Sequence, residues 1–160
     1  MAIFVATFAA VAVTAAQDVF EIVAPASSRL TIREIRLGQY SDPGDAQAEM
    51  LSVQIIRGYT TSGSGGASVT PVNLSPVSGA AAATATVERN NTTVAQDGTG
   101  SVLLADTFNV MGGWRYYPVP EERIEVGVSQ RLVVRITAPA DALTMNGTLV
   151  YEEIGKVPVS

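Results

Sequence analysis

Valine, isoleucine and threonine make up 45 of the 160 residues, and many of them fall into a period of two. Their branched Cβ atoms are stiff at χ1 and fit the pleated, half-buried surface of a strand better than a helix. Leu51, Val53 and Ile55 alternate with Ser52 and Gln54; Leu132, Val134 and Ile136 alternate with Arg131, Arg135 and Thr137 around them. Such alternation predicts strands with one face turned to a core. No amphipathic helix longer than two turns stands out: the helix-favouring run Ala80 to Ala83 is followed at once by Thr84, Thr86 and Val87.

Further strands are predicted at Ile3 to Val13, Val19 to Val23, Leu30 to Leu37, Val102 to Val110, Trp114 to Tyr117, Ile124 to Val128 and Leu143 to Ile154. In the third, Leu30 and Ile32 give way to Ile35 and Leu37. That change of phase calls for one extra residue, a β-bulge, near Arg33-Glu34. Asn146-Gly147 marks either a turn between two strands or a bulge within one. Asp42-Pro43-Gly44-Asp45, Asp97-Gly98 and Pro139-Ala140-Asp141 carry turn chemistry. Thr60 to Gly66 reads as a flexible exposed loop, extending to about residue 67, and residues 155–160 read as a short tail. Nine or so short strands without helices imply an all-β fold, an antiparallel β-sandwich or a barrel, in a single domain spanning 1–160. A chain this long can bury roughly 70% of the surface its unfolded form exposes, enough for one core.

Composition limits the chemistry. With neither histidine nor cysteine, the chain lacks the commonest general base, thiol nucleophile and soft metal ligands. A Ser-Lys arrangement would rest on Lys156, the only lysine, in the tail. Glu121, Glu122, Glu125, Glu152 and Glu153 are the carboxylates that could pair for glycoside cleavage, but Glu152 and Glu153 are adjacent and point to opposite faces of a strand. Asp42 to Asp45 and Asp97 to Gly100 offer hard oxygens without the spacing of a calcium loop. No cofactor or metal is expected, and the chain is not expected to be an enzyme.

A formal charge of -5 with no basic run argues against nucleic acid or an anionic membrane as partner. The apolar start, Met1 to Ala16, lacks the positive n-region of a signal peptide and is too short to span a bilayer, so it is expected to form a strand. The sequons at Asn73, Asn90, Asn91 and Asn146 are expected by chance in a Ser/Thr-rich chain.

Only 16% of residues are charged while mean hydropathy is +0.25, which leaves few charges to cover the outside and implies surface hidden against partners. Two segments are the candidates. Trp114-Arg115-Tyr116-Tyr117 concentrates the residue types of binding hot spots, with Trp114 and Tyr116 on one face and Arg115 and Tyr117 on the other. The N-terminal strand is apolar on both faces, Ile3, Val5, Val11 and Val13 on one and Phe4 and Phe8 on the other. Ile3, Phe4, Phe8, Trp114, Arg115, Tyr116 and Tyr117 are therefore the expected subunit-interface residues.

Val11 to Asp18 with Phe20-Glu21, Arg57-Gly58, Val69-Thr70-Pro71 and Phe108-Asn109 form a pattern that continues through Pro118 to Glu122, Leu132 to Arg135 and Gly147 to Glu153. In these segments the chain resembles the small jelly-roll virion proteins of tailed bacteriophages, which include capsid decoration (cement) proteins. The resemblance implies a jelly roll, a homotrimer on the outer capsid surface, and the major capsid protein as partner. It also implies manufacture in the cytoplasm of a bacterial host. A tail, neck or receptor-binding subunit of the same fold, or an exported bacterial binding module, is the alternative.

Overall fold

The computed structural model describes residues 2–40, 49–75 and 82–155. Among the described residues twelve strands follow one another: β1 Ala2–Val13, β2 Gln17–Val23, β3 Arg29–Gln39, β4 Met50–Thr61, β5 Ala67–Val69, β6 Val72–Asn73, β7 Thr86–Asn91, β8 Gln96–Asn109, β9 Trp114–Tyr116, β10 Glu125–Val126, β11 Arg131–Ile136 and β12 Leu143–Ile154. Among the described residues the only helical element is a three-residue 3-10 turn, Pro120–Glu122. All pairings between strands are antiparallel.

The strands form two six-stranded sheets. The first runs β10-β3-β12-β1-β6, with β9 also paired to β3; the second runs β5-β7-β2-β11-β4-β8. They pack face to face as a sandwich. Phe8 of β1 and Phe20 of β2 meet across the gap with ring centroids 5.1 Å apart. Leu30, Ile32, Ile35, Leu51, Ile55, Leu132, Ile136, Leu143 and Tyr151 fill the space between the sheets with essentially no exposure. Each such aliphatic side chain contributes about 1.5–3 kcal/mol by leaving water.

Departures from strict alternation are bulges, and each has a structural reason. The one expected near Arg33-Glu34 is present: Val150 faces Glu34 and Tyr151 faces Ile32, so Arg33 is the extra residue, and both Ile32 and Ile35 point inward. A second lies in β1, where Ala9 and Ala10 stand opposite Asn146 alone. Ala10 takes a positive φ of 52°, and its N–H donates to Asn146 Oδ1. This bulge corrects the expected grouping in β1. Ile3 and Val5 face outward, while Val11 and Val13 join Phe4 and Phe8 on the inner side, because the pleat changes phase between them.

Asn146-Gly147 lies inside one continuous strand, β12. Its glycine is needed for space: a Cβ there would run into the Phe8 ring and stand 3.0 Å from Phe20. Asp97-Gly98 likewise falls within a strand, near the start of β8, with φ of 61° and 71°. The Asp42 to Asp45 turn, Lys156 and most of the expected tail, with part of Ala80 to Ala83, lie outside the described residues.

The segment expected as a flexible loop is anchored instead. Thr60 and Thr61 belong to β4, Ser64 forms a bridge with Thr93, and Ser62 Oγ and the Gly63 N–H both donate to Glu21. A Cβ at Gly66 would collide with the Arg89 carbonyl, so the glycines here serve close backbone approach.

Candidate interaction surface

The two sheets present very different outer faces. On the second sheet, β2 is buried on both sides, including Asp18 and Glu21 at 0% and 2% exposure. Asp18 pairs with Arg135 across β11, where Val134 faces Phe20 and Arg135 faces Asp18, which leaves Val19 as an extra residue. That bulge turns Asp18 and Glu21, an odd number of residues apart, to the same outer face.

Two ion pairs result. Arg135 reaches Asp18 Oδ1 through Nε at 2.7 Å and Asp18 Oδ2 through Nη2 at 3.1 Å; Arg131 Nε donates to Glu21 Oε1 at 2.5 Å. The rest of each carboxylate is taken up by chain crossing this face. Ala95 N–H donates to Asp18, while Ser62 Oγ, Gly63 N–H and Asn91 Nδ2 donate to Glu21. Tyr59 lies over the Arg135 guanidinium at 4.9 Å, and Ile56, Ala95 and Val133 form a small apolar cluster beside it. Buried charges persist only where they are paired and hydrogen-bonded, and these are. The second sheet is thus covered over β2 and β11 by its own polypeptide, while β8 at its edge stays exposed and carries the exposed Val102 and Leu103. The sequence holds a trace of this in Arg131 and Arg135, four apart and so on one face of a strand, but the matching of Asp18 with Glu21 depends on the bulge.

On the outer face of the first sheet Thr31, Val150 and Glu152 are buried, whereas Thr7, Arg36 and Arg115 are exposed. One row across it is Val72, Val5, Val150 and Glu34; the next is Thr7, Thr148, Arg36 and Arg115. Glu34 accepts from Arg115 Nε at 2.7 Å and lies 3.2 Å from Arg36 Nε, so one carboxylate serves two guanidinium groups. Both arginine side chains remain more than half exposed, at 55% and 58%, against 13% for Glu34. Arg115 stacks over the Tyr117 ring at 4.7 Å, and Tyr117 is 67% exposed. Just beyond it lie exposed Val119 and the turn carrying Glu121 and Glu122.

The seven expected interface residues divide between core and surface. Phe4 and Phe8 spend their rings inside the sandwich, Phe4 stacked on Tyr151 at 5.7 Å. Trp114 and Tyr116 are also buried, as their alternation requires. Trp114 Nε1–H donates to Asp106 Oδ2 at 3.0 Å, and Tyr116 OH donates to the Glu122 carbonyl. Burial raises the Tyr116 pKa. These four cannot present their rings to a partner. Arg115 and Tyr117 can, and Ile3 is half-buried on the same outer face.

The carboxylates considered for glycoside cleavage are dispersed. Glu152 pairs with Arg33, and Glu125 lies 3.7 Å from Arg29. Both oxygens of Glu153 are occupied by Thr84 and the Ala85 N–H. Asp97 accepts from Thr61 and so closes the β4 and β8 pair. Among the described residues no group of three His, Cys, Asp or Glu is placed to hold a metal ion. Asn90 and Asn91 are buried within the second sheet's network. Comparison with protein-family models and with curated proteins finds no match.

Proposed function

We propose that this chain is a structural virion protein of a tailed bacteriophage. In this reading it is a decoration (cement) protein that trimerises on the outer capsid surface and stabilises the shell by bridging major capsid protein subunits. The observation that carries the reading is the contrast between the two outer faces. The second sheet is locked over β2 and β11 by its own chain, and the first offers stacked Arg, Tyr and aliphatic groups, the composition of a protein-binding surface. A shell-clamping subunit needs a rigid scaffold and adhesive faces rather than a reaction cleft, and an all-β sandwich with charge-locked strands has that character.

Connectivity supports the jelly-roll part of the reading. With β5, β6 and β7 set aside as an insertion, the order is β1-β12-β3 followed by β9 and β10 in one sheet, and β2-β11-β4-β8 in the other. The chain changes sheet from β1 to β2, β2 to β3 and β3 to β4, and again around β11, the nesting expected of two Greek keys.

The test is addition of the purified protein to undecorated phage capsids, followed by sedimentation, electron microscopy and thermal unfolding of the shells. Saturable binding at fixed lattice positions with a raised shell melting temperature is expected. Absence of binding to shells would end the reading, and density at the tail or neck would replace it with another virion role.

A further inference from the structure

The first sheet holds a charge imbalance that a second copy of the chain can resolve. Arg36 and Arg115 share the single carboxylate of Glu34, and both guanidinium groups stand largely in solvent. A few residues along, Glu121 and Glu122 sit exposed on the 3-10 turn Pro120–Glu122, and neither has an ion pair among the described residues. Although Arg115 and Glu121 are close in sequence, they do not pair within one chain. Arg115 is turned onto Glu34 and Tyr117, and the turn lies in the connection from β9 to β10, where the Glu122 carbonyl accepts from Tyr116 OH. Exposed Tyr117 and Val119 lie between Arg115 and the two glutamates in the chain, at 67% and 56%. A basic aromatic face and an acidic turn are complementary in charge between copies.

We propose that the Glu121-Glu122 turn of one copy seats on the Arg36, Arg115 and Tyr117 face of the next, with Tyr117 and Val119 buried in the seam. The contact joins two different patches, so it is heterologous, and such contacts close into rings when the rotation allows. It therefore serves the trimer proposed above and rests on that reading. Arginine suits this role because its planar fork can hold Glu34 in cis and a second carboxylate in trans while stacking on an aromatic ring.

Charge reversal tests the seam, because all four side chains are exposed or rimmed by solvent and their replacement leaves the core intact. Native mass spectrometry and sedimentation equilibrium would be run on wild type, on Glu121→Arg with Glu122→Arg, on Arg36→Glu with Arg115→Glu, and on the quadruple variant. Wild type is expected as a trimer. Each double variant should weaken assembly by about tenfold or more in dissociation constant, and the quadruple variant should regain most of the loss. Circular dichroism shows that each variant is folded. A trimer that survives both double variants, or a quadruple variant no better than the doubles, would place the seam elsewhere while leaving the shell-binding reading intact. A wild-type monomer at micromolar concentration overturns this seam, and binding to undecorated capsids then judges the functional reading separately.

Discussion

Arg135 grips Asp18 through two nitrogens, at 2.7 and 3.1 Å, on a carboxylate that has no exposed surface at all. Burial works to lower the Arg135 pKa, but the hydrogen bond and charge of Asp18, aided by Tyr59, outweigh it and the net shift is upward. The pair holds β2 to β11 and carries Ala95 on its far side. Asp18→Ala strands a guanidinium and the Ala95 N–H, and should cost about 3 kcal/mol in urea unfolding. Asp18→Leu combined with Arg135→Met should cost markedly less than Asp18→Ala alone, because no unpaired charge remains. Equal losses for the two variants would mean that packing, not charge pairing, matters at this position.

Glu21 is the peg on which the glycine-rich segment hangs. Glu21→Ala removes the acceptor for Arg131, Ser62, Gly63 and Asn91 together. Backbone amides of residues 62–66 should then exchange at least about tenfold faster than in wild type, and limited proteolysis should begin there. Unchanged exchange in that segment would show that the Ser64 and Thr93 bridge suffices alone.

Gly147 leaves room for the Phe8 ring that bridges the two sheets. Gly147→Ala should destabilise by about 1–3 kcal/mol through overpacking. Phe8→Leu in the same chain should relieve part of that cost, giving a double-mutant coupling of about 1 kcal/mol in denaturant titrations. Strict additivity would remove the steric explanation.

Asp106 links β8 to β9 by accepting from Trp114 Nε1–H. That hydrogen bond, followed by the one from the Thr107 N–H, holds its pKa below the ordinary 3.8. A depressed carboxylate pKa contributes stability that is fully present above the unfolded value and disappears as pH falls through the folded one. The difference in unfolding free energy between wild type and Trp114→Phe should therefore be largest at neutral pH and shrink below pH 3.8. A difference that stays constant with pH would reflect lost ring packing only.

Strand positions were legible wherever one face is core and the other polar, as at Leu51 to Ile55 and Leu132 to Ile136, because period-two burial leaves its mark directly on the residue types. The Arg33 bulge was legible for the same reason, since the phase of Leu30, Ile32, Ile35 and Leu37 breaks there. The stretch from 67 to 100 hid β5, β6 and β7, which are short, polar and held by partners far away in the chain. At Trp114 to Tyr117 alternation separated the two faces correctly, but aromatic content alone does not tell an interface from a core. Arg115 and Tyr117 stay outside only because β9 pairs with the edge of β3.

Composition and periodicity alone settled that this polypeptide builds pleated sheet around one apolar seam and brings neither imidazole nor thiol to any chemistry. Local residue types carry both properties, so no knowledge of distant neighbours is needed. Tertiary structure alone decided that the outer side of β2 and β11 is closed by charge pairs while Arg36, Arg115 and Tyr117 stay exposed. That depends on bulges at Val19 and Ala9-Ala10 and on pairings such as Asp18 with Arg135, more than a hundred residues apart in the chain. A one-residue change of pleat reverses a side chain's direction, and only the assembled sheet fixes the register.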